Sequence, residues 1–171
     1  ASAKELNAFA GSHANVVVEK LDLLDHPGID ALAQKYAGQP VDVLVNNAGL
    51  YGGLKGARFE HLDEAQWDAV MNINVKGLWQ CCKAVVEPMR AAGGGSIINI
   101  SSLAAVFGLP YGLDYVASKA ALDAWTRCAA SEFSDMGIQF TTINMPLVRT
   151  PMIAPTKIYS QAPTLSPEEA A

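Results

Sequence analysis

An α/β domain built on a parallel sheet is the fold this sequence predicts, and three observations predict it. Two β-branched runs, "ANVVVEKLDLLD" (14–25) and "VDVLVNNAG" (41–49), each end in polar residues, as strands do when their carboxyl ends reach a crevice. Around them lie stretches with apolar residues at helical spacing, so strand and helix alternate along the chain. With 171 residues, 50% hydrophobic and 17% charged, the chain has apolar material for one full core and too much for disorder.

Taken in order, "ASAKELNAFAGSH" reads as the end of a helix, and 14–25 as the first strand. "HPGIDALAQKYAG" has Pro27 near its start and Gly38 at its end, the punctuation of a short helix. The second strand follows at 41–46, then a loop of small residues, "YGGLKGA" (51–57). A long helix is expected from about 62 to 89, with Trp67, Val70, Ile73, Leu78 and Val85 on its core side, closed by Pro88 and the glycines at 93–95. "SIINISS" is the third strand, "DYVASKAALDAWTRCAASEFS" the next helix, and "IQFTTINM" the fourth strand. The tail "RTPMIAPTKIYSQAPTLSPEEAA" reads as a loop whose "PMIAP" is an apolar lid, ending in a helix start capped by Ser166 with Pro167 in first position.

Charge and composition exclude several classes of function. A net charge of −5 without a basic block argues against nucleic acid or an anionic membrane as partner and leaves small molecules and other protein chains. Cys81, Cys82 and Cys128 lack metal-ligand spacing and fall in helical stretches, which predicts core packing; His13, His26 and His61 are scattered, so no metal site is expected. No apolar run is long enough to span a membrane, and the first residues lack a signal-peptide layout, which makes the cytoplasm the expected location.

The polar residues at the strand ends, Asp22, Asn46 with Asn47, Ser101 with Ser102, and Thr150, would line one crevice, because ligands of open α/β sheets bind outside the carboxyl ends of the strands. Tyr115 and Lys119, four apart in "DYVASK", fall on one helix face. That spacing permits a coupled acid–base pair, and equally an exposed lysine beside a half-buried ring.

"NNAG" at 46–49, Asn74 in "NINVKG", Ser102 in "INISS", and "YVASK" 13 residues beyond that serine together resemble the classical short-chain dehydrogenase/reductase family, over 22–150. The resemblance implies a Rossmann-like doubly wound sheet and a catalytic tetrad of Asn74, Ser102, Tyr115 and Lys119. This tetrad would interconvert a carbonyl and an alcohol with NAD or NADP, NADPH being preferred for a reductase. Tyr115 would donate the proton and Lys119 would tune it, since a neighbouring ammonium favours phenolate. Ser102 would bond the substrate oxygen, and Asn74 would hold a water on a relay to Lys119. The family would also put Asp22 at the adenine amino group, Asn46, Ala48 and Gly49 around the adenosine ribose, Lys119 on the nicotinamide ribose and Thr150 on the carboxamide. Tyr115 and Pro146 complete the implied cofactor contacts.

Met145-Pro146 stands where the family usually has Pro-Gly, and "INMPLVRTPMIAPT" looks like the reductase domain of bacterial multidomain fatty acyl-CoA reductases. Nothing before Asp22 resembles the family's glycine turn for the pyrophosphate. The strands identified would be the third to sixth of the family order 3-2-1-4-5-6-7, with the first two and the last lacking. The expectation is then either a gap before the second strand found here or direct pairing of 16–21 with 41–46. Trp79, Val85, Trp125 and Phe133 on the two long helices predict a homodimer or homotetramer. The alternative is a non-catalytic scaffold of the same fold that acts through protein association; an extended-type epimerase also uses Tyr-x-x-x-Lys, but "NNAG" favours the classical branch.

Overall fold

The computed structural model describes residues 3–52, 58–153 and 162–170. The predicted loop at 53–57 and part of the lid, from 154 onward, lie outside the described residues. Three parallel strands, β1 (Val43–Asn46), β2 (Gly95–Ser102) and β3 (Ile138–Met145), stand side by side in chain order. Parallel neighbours need long crossovers, and helices supply them. Between β1 and β2 run α3 (Glu64–Met71), a π-helical turn (Asn72–Gly77) and α4 (Leu78–Ala91); between β2 and β3 run α5 (Ala104–Phe107) and α6 (Leu113–Glu132). Helices α1 (Lys4–Ser12) and α2 (His26–Lys35) precede the sheet, and α7 (Pro167–Ala170) follows it.

One predicted strand is not a strand. Among the described residues, 16–21 pair with no strand of the sheet, and β1 is hydrogen-bonded only to β2. A β-branched run becomes a strand only where another strand accepts its ladder, and none is placed beside this one. It is instead held by Glu19, whose carboxylate accepts from Lys35 Nζ and Tyr36 Oη, while Val17 stays 70% exposed. Direct pairing of 16–21 with 41–46, one of the two outcomes expected for this region, is not observed among the described residues.

The helical expectations fare better. Asp25 caps α2 by accepting from Gly28 N at 3.1 Å, with Pro27 in the first turn. Ser166 caps α7, and Glu169 reaches back to the Ser166 amide at 2.7 Å, a reciprocal capping box. Pro88 does not end α4, which runs on to Ala91; it is stopped by Gly93 and Gly94, both at positive φ. Gly94 must be glycine for a second reason, since a Cβ there would lie 2.5 Å from the Gly137 carbonyl at the start of β3.

The core sits at the amino ends of the strands. Cys82, Met89, Ile97 and Ile138 are its buried centre, with Leu44, Val85, Trp125, Phe133 and Phe140 packed around them. Val85, Trp125 and Phe133 are therefore engaged within the chain, which leaves Trp79, 48% exposed, as the apolar excess among the four residues expected to drive assembly. Cys128 is exposed, contrary to the core role expected of it, because it lies two residues beyond the sheet-facing Thr126 on the far side of α6. Above the core a buried polar ladder crosses the sheet: Asn46 Nδ2 donates to Asn99 Oδ1 at 2.8 Å, and Asn99 Nδ2 to Thr126 Oγ1 at 2.9 Å. A fully bonded buried network tolerates one register only, so it sets where α6 lies on the sheet.

Candidate functional site

At the carboxyl ends of the strands the chain encloses a cavity of about 840 Å³. Ser102, Tyr115, Lys119, Gly49, Pro146 and Thr150 all line it, so residues far apart in sequence meet in one place. Its remaining wall is largely apolar, including Tyr51, Leu103, Phe107, Leu147, Met152 and Ile153.

Tyr115 stands in the first turns of α6, its ring edge-on to Tyr51 at 5.1 Å between centroids. Burial pushes its phenol above the ordinary value of 10, and a hydrogen bond with Ser102 opposes that shift. Lys119, 4% exposed, lies over the Tyr115 ring with Nζ 5.8 Å from the centroid. Its ammonium donates to the Ile100 carbonyl at 2.7 Å. Burial lowers the lysine to about 8, partly offset by the Asp123 carboxylate. The expected lowering of Tyr115 by Lys119 is thus not what this geometry shows: the dominant influence on the phenol is desolvation, and the ammonium is turned to a backbone carbonyl.

Asn74 lies fully buried within the π-helical turn. Such turns are frequent at functional sites because they displace one residue from the regular helical ladder. Its Oδ1 accepts from Leu50 N at 2.7 Å, and its Nδ2 donates to Leu50 O at 2.9 Å and Ser118 Oγ at 3.0 Å. The amide clamps the loop after β1 to α6, which differs from the water-holding role expected of it: both of its N–H donors meet protein.

Of the residues expected around adenosine, Asp22, Asn46 and Ala48 are not gathered with the rest. Asn46 is buried, with Nδ2 engaged by Asn99 and Cys82. Asp22 accepts from Leu24 N at 3.0 Å, and neither it nor Ala48 lines the cavity. Gly49 does belong there: an added Cβ would sit 3.4 Å from Asn74 Oδ1 and 3.5 Å from Lys119 Nζ, at ordinary contact distance beside the lysine.

Over residues 1–159 the chain matches the short chain dehydrogenase family. It belongs to that family. This short-chain dehydrogenase chain is 44% identical over 153 residues to the fatty acyl-CoA reductase of Acinetobacter baylyi, covering 88% of the chain and 51% of that protein. It is 36% identical over 124 residues to the 3-oxoacyl-[acyl-carrier-protein] reductase of Thermotoga maritima, covering 72% of the chain and 48% of the relative. The chain spans about half the length of the curated relatives it matches. Among solved structures it resembles a gluconate 5-dehydrogenase from Burkholderia cenocepacia in complex with NADP and tartrate. That likeness has a TM-score of 0.73 at 27% identity, covering 78% of the chain and 52% of the structure. No helix among the described residues is long and apolar enough to cross a membrane.

Several contributors to the site in this short-chain dehydrogenase were not singled out from sequence. Tyr51 is read there only as part of a loop, yet it packs on Tyr115. Asp114, 1% exposed, takes a 2.7 Å bond from Gln66 Nε2 and ties α3 to the start of α6. Asn144 in β3 bonds Asp123 on α6. An acid directly before Tyr115 and an amide in an apolar strand were the available signals.

Proposed function

We propose that this chain is the catalytic part of an NAD(P)-dependent reductase that converts the carbonyl of an apolar substrate to an alcohol. The observation that carries the reading is the convergence of Ser102, Tyr115 and Lys119 on one largely apolar cavity. Its volume of about 840 Å³ lies within the ~300–1,000 Å³ range of small-molecule sites.

Gly49 and the buried ammonium of Lys119, which lie side by side in the cavity wall, suit a sugar hydroxyl, so the nicotinamide end of a dinucleotide fits the residues present. Lys119, Pro146 and Thr150 would hold that end. A nicotinamide held there would be the source of hydride for the carbonyl carbon. Tyr115 holds the proton for the carbonyl oxygen: a phenol kept above its ordinary value by burial remains protonated at neutral pH, as a donor must. Ser102 directs a hydroxyl into the same cavity, and a hydrogen bond that strengthens as the oxygen gains charge accelerates the step rather than merely tightening binding. The apolar wall at Leu103, Phe107, Leu147 and Met152 excludes water and selects a hydrocarbon group. A carbonyl compound with an acyl chain is the substrate class this wall favours, in keeping with the A. baylyi relative's name.

The test uses the full-length protein, with nicotinamide fluorescence followed on titration with NADPH and NADH and cofactor oxidation followed with aldehydes of increasing chain length. Turnover that rises with chain length is expected; no cofactor oxidation with any aldehyde would overturn the reading. Self-association through α4 and α6 is the assembly we propose, with Trp79 as the exposed aromatic, and a monomer by light scattering at micromolar concentration would refute it.

A further inference from the structure

Asn144 stands opposite Ser101 in the β2–β3 register, at the last turn of the sheet before the cavity. Its Nδ2 donates in two directions, to the Ser102 backbone carbonyl at 3.2 Å and to Asp123 Oδ2 at 2.8 Å. Asp123 lies four residues beyond Lys119 on α6, hence on the same helix face and one turn below it. The other carboxylate oxygen, Oδ1, has no hydrogen-bond partner among the described residues.

We propose that the Asn144–Asp123 pair positions the reactive groups of this site. One amide clamps the peptide that carries Ser102 and fixes a carboxylate one helical turn from Lys119, so that serine and lysine are set by a single side chain. This rests on the catalytic reading above and adds to it two residues that touch neither substrate nor cofactor.

The electrostatics agree with the geometry. Asp123 is the charged group that opposes the desolvation of Lys119. The other groups facing the lysine are Tyr115 on its own helix, the Ile100 carbonyl of β2, and the Asn74 amide near Gly49. From α3 comes Gln66, which bonds Asp114 of α6, while α5 brings no ionisable side chain and β3 brings Asn144. Arg127, four residues beyond Asp123 on the same face of α6, lines with it a hollow of about 250 Å³. Loss of the Asp123 charge therefore weakens the ammonium, since among the described residues no other carboxylate acts on Lys119.

The experiment follows Lys119 in the full-length protein, first without cofactor, from the pH dependence of its ¹³Cε resonance. The wild-type midpoint is expected near 8, the value to which burial and Asp123 bring it. Asp123→Asn should lower that midpoint by about one unit, Asn144→Val should lower it in the same direction, and Asp123→Glu should leave it within a few tenths. In turnover, Asp123→Asn should reduce kcat/KM about fivefold at pH 8 and hardly at pH 6, the loss expected when the charged fraction of the lysine falls with that midpoint. Asn144→Val should lower the rate at both pH values, since the Ser102 carbonyl is released as well. A midpoint unchanged in whichever of Asp123→Asn and Asn144→Val folds, or a loss of rate equal at all pH, would overturn the proposal. Absence of nicotinamide-dependent turnover in the wild type would overturn the catalytic reading instead, and the resonance titration would still decide the role of Asp123.

Discussion

The two faces of the sheet are made of alternate residues from the same three strands, and they have different fates. On one face Leu44, Ile97 and Phe140 meet α4 and α6, and Asn46 and Asn99 are buried in a bonded ladder. On the other, Val43 and Val45 are each 54% exposed and Ile143 is 41% exposed, although their β-branched side chains suit a strand just as well. Side chains alternate at period two, so one residue's step separates a position that organises the molecule from one that does not. The covered face carries α6 and with it Tyr115 and Lys119; Ser102 arrives from the other face at its carboxyl end, and the cavity forms where the two meet.

This contrast yields a graded set of expected outcomes. The largest effect belongs to the end of the covered face. Tyr115→Phe removes only the phenolic oxygen and should lower kcat by about 10²–10⁴-fold while the far-UV circular dichroism stays unchanged. A variant that kept more than about a tenth of wild-type kcat would rule out a phenolic proton donor.

Next comes the centre of the covered face. Ile97→Ala, at a position with no exposed surface, should destabilise by about 3 kcal/mol in urea denaturation, the range for a cavity left in a packed core. Val45→Ala on the open face should cost about 0.5 kcal/mol or less, because much of that side chain is already in water. Equal losses at the two sites would mean that both faces are covered in solution and would break the comparison.

A smaller effect, with a sign that changes with pH, is expected at Lys119. Its folded value of about 8 lies below the ordinary 10.5, so below pH 8 folding must bury a charged ammonium. Between about 8 and 10.5 the unfolded chain holds the proton and the folded one has lost it, so this group's contribution to stability improves as pH rises through that window. The gap corresponds to roughly 3 kcal/mol, part of which the bond to the Ile100 carbonyl returns. Lys119→Met should therefore raise stability by about 1 kcal/mol at pH 7 and lower it near pH 10, while abolishing turnover at both. Chemical denaturation at the two pH values checks it; stabilisation that persisted at pH 10 would contradict a buried charge as the cause.

Residues 16–21 and 43–46 show how far the sequence could be read. Both are β-branched runs ending in polar residues, and only the second is a strand, because only the second has β2 beside it. Helices were more legible, since their hydrogen bonds are local: the Asp25 and Ser166 caps, the extent of the helix that carries Asn74, and the face shared by Tyr115 and Lys119 follow from neighbours within a few residues. The site residues Ser102, Tyr115 and Lys119 were legible as a motif set. The partners that orient them were not, because Asn144 and Asp123 are 21 residues apart and Asn74 and Ser118 are 44 apart.

The sequence by itself determined the alternation of strand and helix, the helix boundaries set by capping residues and glycines, and the types of chemical group available at the strand ends. All of these depend on interactions within one or two turns of chain. Tertiary structure alone decided which β-branched run would be a strand, which sheet face would be buried, and that Asn46 would serve the core while Gly49 lines the cavity. It also decided that burial, more than the neighbouring lysine, governs the phenol of Tyr115. Desolvation and strand pairing are properties of what surrounds a residue, and the surroundings exist only once distant segments have packed together.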